Sequence, residues 1–110
     1  MGRRVGAVTR IGTFTFAVPL WLYQAAGAGW HFVTVPEEVS SDITDLSAGL
    51  RHGFGSVRVA VTVGGTSWRT SVFPQSGTGC YLLPMKKAVR AAEGLELGDQ
   101  VAVHLELVDL

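Results

Sequence analysis

The sequence predicts a mainly β fold: a small closed or partly open β-barrel of about six strands with two short helices. Three observations lead there. Two alternating runs, Ser56–Val63 and Thr66–Phe73, flank Gly64-Gly65, and a pair of glycines free to take positive φ suits a two-residue hairpin turn. A plan of strand, apolar-Pro step, helix and valine-rich strand occurs twice, with Val35-Pro36 in one unit and Leu83-Pro84 in the other. Near the end of the chain, Val101, Val103, Leu105 and Leu107 alternate with Gln100, Ala102, His104 and Glu106 as a half-buried strand. Two such units interleaved about a pseudo-twofold axis close a sheet and remove its edges. A flat α+β sheet is the alternative.

A chain of 110 residues is one domain's worth. Met1–Gly12 is basic, glycine-punctuated and aperiodic, so residues 1–12 are expected to be a loose N-terminal segment and residues 13–110 the barrel domain. Nine Lys and Arg balance nine Asp and Glu, so no global field points to nucleic acid or to a membrane. The lone cysteine, Cys80, has no disulfide or metal-site partner, which fits a reducing compartment. No apolar run of signal or anchor length follows Arg3 and Arg4, and a cytoplasmic location is expected.

Taken in order, Phe14, Phe16, Val18 and Leu20 form one face of a first strand, in which Pro19 must sit at an edge, a bulge or the end. Ala25–Gly29 is a small-residue loop, and Trp30–Val35 is an aromatic and β-branched strand. Pro36 then starts a helix over Glu37–Asp45, with Glu37 and Glu38 near the positive end of its dipole. His52–Gly55 is a connector. Across the Gly64-Gly65 turn, pairing sets Val63 opposite Thr66, Val61 opposite Trp68, Val59 opposite Thr70 and Val57 opposite Val72. The other face carries Arg58 diagonal to Arg69. Cys80–Leu83 is a short strand, and a second helix over Met85–Glu93 presents Met85, Ala88, Val89 and Ala92 and stops at Gly94.

Trp30-His31-Phe32-Val33 with Pro36, Gly64-Gly65 with Trp68–Ser71 and Phe73-Pro74, Tyr81–Lys87 with Arg90, and Gly98–Val101 together resemble the bacterial and archaeal family catalogued as domain of unknown function 1905. The resemblance covers nearly everything after Gly12. It implies a small β-barrel, found alone or joined to a domain of the type associated with bacteriocin protection, with no assigned activity; this chain looks like the stand-alone form. Separately, Leu82–Leu107, with Leu83–Arg90 followed by Gly98–Val101, is similar to the swapped-hairpin DNA-binding domains of AbrB and MazE type. Those dimerise to complete a barrel, whereas here the repeat would supply both halves, so the similarity reports geometry before it reports DNA binding.

Lys86, Lys87 and Arg90 are the most informative charges, because cations in a first helical turn oppose the dipole. With Arg69, Arg58 and Tyr81 they are the candidate ligand-binding residues: a basic barrel rim accepting an anionic small molecule or an acidic protein segment. The plain alternative pairs them with Glu93, Glu96, Glu37 or Glu38, or leaves them solvated. Trp68 is expected in the core, and Trp30 and Tyr81 at a barrel mouth. A DNA-binding regulator or antitoxin is a second function, weighed down by the neutral net charge; a small enzyme using Tyr81, His31 or Cys80 in a barrel pocket is a third. No catalytic motif, cofactor fingerprint or metal spacing occurs among His31, His52, His104 and Cys80. The chain is expected to be a monomer, or a homodimer meeting through the acidic and basic helices.

Overall fold

The alternating segments fold into a ring in the computed structural model, which describes residues 7–10 (main chain only), 12–48 and 55–108. In chain order the elements are β1 (Ala7–Arg10), β2 (Thr13–Ala25), β3 (Ala28–Thr34), α1 (Glu37–Leu46), β4 (Val57–Val63), β5 (Thr66–Pro74), β6 (Tyr81–Pro84), α2 (Lys87–Glu93) and β7 (Gln100–Leu107). Strands β2, β3, β6, β5, β4 and β7 are each antiparallel to their neighbours, and β7 returns to β2. The barrel is closed, with six strands. Ala7–Arg10, expected to lie outside the fold, instead pair with the start of β2 as an added strand. The connector expected at His52–Gly55 lies, up to residue 54, outside the described residues.

Closure depends on β2 being long enough to serve two neighbours. Its first half, Thr13–Pro19, pairs with β7, and its second half, Leu20–Ala25, pairs with β3. Pro19 sits where one partner gives way to the other, so its missing donor falls at the end of a ladder. The next amide, on Leu20, donates to Asp99 O at 2.9 Å.

The hairpin register is the expected one, from Val57 opposite Val72 to Val63 opposite Thr66. Only Gly64 uses positive φ, at 58°, the sign pattern of a type II′ turn. Inward residues from every barrel strand, with Val39 and Ile43 of α1 and Val89 of α2, make one core. Trp68 packs against that core half-buried. The second helix is shorter than expected: Met85 is buried ahead of it, Lys86 is its N-cap, and Ala88 and Ala92 face solvent.

The duplication is real, but its alignment differs from the proline steps. Val33 faces Leu83, with Phe32 opposite Pro84 and Thr34 opposite Leu82, so equivalent residues are fifty apart (33 and 83). The flanking bonds repeat with the same offset: Val35 N donates to Tyr81 O, and Met85 N to His31 O, both at 2.9 Å. Pro36 and Lys86 are therefore the equivalent helix caps, two residues away from a match of Pro36 with Pro84. Exchanging β2, β3 and β4 with β5, β6 and β7 leaves the ring of pairings unchanged.

Candidate functional site

The two halves end their central strands in the same way but then diverge in side-chain chemistry. In the first half, the buried Ser40 hydroxyl donates to Val35 O at 3.1 Å and accepts from Tyr81 N at 3.1 Å, which seals that end. In the second half the equivalent position is Arg90. Its Nε donates to Met85 O at 2.9 Å, and its Nη1 lies 3.3 Å from His31 Nε2. A guanidinium cannot bridge as compactly as a hydroxyl, so this end stays open. The result is a cleft of about 250 Å³ lined by Gly29–Phe32 of β3, Pro84–Lys86 and Arg90.

Electrostatics in the cleft follow from that geometry. Arg90 always carries its proton, so His31 Nε2 accepts from it and the ring is neutral with its proton on Nδ1. Burial, and then the Arg90 charge, hold the His31 pKa below its ordinary value, in agreement with that tautomer. Lys86 is exposed at the α2 cap, and the first turn of that helix has no acidic residue. Of the acids expected to compensate, Glu93 is engaged elsewhere, accepting from Thr66 Oγ1. Among the described residues, no carboxylate is paired with Lys86 or Arg90. Trp30 is 48% exposed at the lip, with its ring centre 5.9 Å from that of Tyr23.

The other expected site residues are elsewhere. Lys87 is exposed on α2 and does not line the cleft. Arg69 lies on the outer face of β5 in a separate depression of about 300 Å³, with Thr62, Ser67, His104 and Glu106. Arg58, diagonal to it on β4, is exposed as well. A single rim holding all of these cations is therefore not formed: Arg69 lines the depression over β4, β5 and β7, while Lys86 and Arg90 line the cleft between β3 and α2.

Tyr81 is not at a mouth: it is 2% exposed, an inward residue of β6, with its hydroxyl 3.3 Å from Thr44 Oγ1. Cys80 is half-buried in the loop before β6, where its amide donates to Thr78 Oγ1. His31 and Tyr81, fifty residues apart, are the equivalents of one another in the two halves and do not converge on one pocket. The His31–Arg90 contact was not anticipated. The available signal was the antiparallel meeting of the two strand-to-helix steps, which brings residue 31 beside residue 85.

Residues 16–105 match the family described as domain of unknown function (DUF1905). The chain belongs to that family. Every lining residue of the cleft falls inside the matched span of the DUF1905 domain, whereas Glu106 of the second depression falls just beyond it. No curated protein matches the chain. Among the described residues of this DUF1905 barrel, no helix is long and apolar enough to cross a membrane, and no group of His, Cys, Asp or Glu could hold a metal ion.

Proposed function

We propose that this DUF1905 domain is a binding module whose cleft between β3 and the start of α2 takes a small molecule bearing a phosphate or carboxylate. The observation that carries this is the meeting of Lys86, Arg90 and the exposed Trp30 around one cavity in which no described carboxylate answers the cations. Arg90 is held at Nε and Nη1 by Met85 O and His31, so its fork is ordered before a ligand arrives, and its other N–H donors remain for an oxyanion. Lys86 adds a mobile point charge. Trp30 offers an apolar wall at the lip.

Thermal unfolding with inorganic phosphate, AMP, benzoate and citrate tests the proposal. A ligand at a hundred times its Kd stabilises by about 2.7 kcal/mol. A rise in Tm that Lys86→Ala abolishes supports the cleft; the absence of any rise, or a rise that survives Lys86→Ala, overturns it.

Duplex DNA asks for a continuous basic surface. With Lys86 and Arg90 in the cleft and Arg58 and Arg69 on the β4–β5 face, no observation favours that alternative over the small anion. For an enzyme in a barrel pocket, Tyr81 belongs to the core and Cys80 to a loop, so His31 stands in the cleft without either of the other two groups beside it.

A further inference from the structure

The outside of the barrel is divided. On β4 and β7 the outward residues include Arg58, Thr62, His104 and Glu106. Where β2, β3, β6 and β5 meet, Trp21 lies opposite Phe32, Tyr23 opposite Trp30, and Leu82 opposite Phe73, with Thr34 beside Leu82; farther along β5 the outer row turns polar at Ser71 and Arg69. Tyr23, Trp30 and Phe73 are 51%, 48% and 44% exposed, and Trp21, Phe32 and Leu82 are half-buried. Exposed aromatic side chains gathered on neighbouring strands in this way mark an interaction surface.

From this face we infer that the domain pairs with a second copy of itself. A second copy fits this face through a charge complementarity that the internal twofold imposes. That axis passes between Val33 and Leu83, with Trp21, Phe32, Tyr23 and Trp30 on its α2 side and Thr34, Leu82 and Phe73 on its α1 side. Because β3 and β6 are antiparallel, α1 starts at one end of the pair and α2 at the other. Glu37 and Lys87, fifty residues apart, are therefore equivalent in place, opposite in charge and both exposed. Face-to-face packing about a dyad in the plane of the sheet, perpendicular to the line from Glu37 to Lys87, sets Glu37 of each copy against Lys87 of the other. The interface is isologous: the exposed Tyr23–Trp30 pair of each copy packs toward the Glu37 end of the other, and two matching ion pairs stand at the rim. Its ion pairs use Lys87, whereas the anion cleft uses Lys86 and Arg90; Trp30 and Phe32 belong to both, so the two sites meet at that edge and are separated by the charged variants.

Sedimentation velocity on the full chain, from low micromolar to near-millimolar concentration, gives the test. A dimer is expected, and Leu82→Glu is expected to leave a folded monomer with unchanged far-ultraviolet circular dichroism. Glu37→Lys and Lys87→Glu, each turning two attractions into repulsions, are expected to raise the dimer Kd about tenfold apiece. In a mixed dimer of those two variants, each rim contact again joins one lysine to one glutamate. Mixing them is therefore expected to restore the original affinity as a heterodimer. Lys86→Ala is expected to leave association unchanged. A monomer at every concentration, a dimer indifferent to Leu82→Glu, or a failure of the mixture to recover would each overturn the proposal.

Discussion

Val33 and Leu83 face one another across the β3–β6 ladder at the point where the two halves of the chain exchange, and both are fully buried. Each is the centre of its own half and the neighbour of its equivalent, so a cavity there touches both units at once. Leu83→Ala is expected to cost about 2–5 kcal/mol, the range for a truncated core leucine, because a closed barrel can collapse little around the gap. Equilibrium urea unfolding measures it; a loss well under that range would mean that the ring relaxes more than its pairing implies.

Ser40 and Arg90 occupy equivalent places and reach equivalent carbonyls, Val35 O and Met85 O. Ser40 also accepts from Tyr81 N, so Ser40→Ala strands a buried acceptor and a buried donor together. A loss of about 1–3 kcal/mol is expected. Hydrogen exchange supplies a local check: the Tyr81 amide should lose protection in Ser40→Ala while core amides such as Leu105 follow only the global change.

The barrel was legible because the signals that made it are local. Alternation in Ser56–Val63 and Thr66–Phe73 set the register, and Gly94 at φ 63° ended α2 where a left-handed cap was expected. The site was less legible because its geometry depends on how distant strands twist past one another. Whether Arg69 looks toward α2 or toward β7 is decided by the outer row of the β5–β4–β7 sheet, where Ala60 stands between Arg69 and Glu106, and no single segment encodes that row. Tyr81 shows the same limit. A residue just before a proline-ended strand can face either way, and the inward parity shared with the buried Leu83 put it in the core.

Gly64 and Gly65 look interchangeable in sequence but are not in structure. A Cβ on Gly64 would fall on the Glu93 carboxylate, and the backbone there has φ 58°, whereas nothing lies within 4 Å of a Cβ on Gly65. Glu93 is the acceptor for Thr66 Oγ1, so Gly64→Ala both strains the turn and pushes away the contact that ties α2 to the hairpin. A loss of about 1–2 kcal/mol is expected at Gly64, and under about 1 kcal/mol in either direction at Gly65. Thermal melts of the two variants side by side decide this, and equal losses would remove Glu93 from the account.

His31 links the cleft to pH. Folding lowers its pKa, first by burial and then through Arg90, so the unfolded chain binds the proton more readily than the native state. Stability is then greatest above the unfolded value, about 6.5, and declines as pH falls through that value toward the lower native one. Below the native value both states are protonated and this contribution stops changing. His31→Gln can still offer Arg90 an acceptor but cannot titrate, so the difference in unfolding free energy between wild type and this variant should shift against the wild type as the solution is acidified from neutrality. An anion held by Lys86 and Arg90 would offset the charge that disfavours the imidazolium and raise the His31 pKa. By linkage, phosphate should then bind more tightly to the wild type below neutral pH, over and above any change in its own ionisation, and His31→Gln should lose that added increment. Calorimetric titrations of both proteins at two pH values measure the increment directly; its persistence in His31→Gln would place the proton elsewhere.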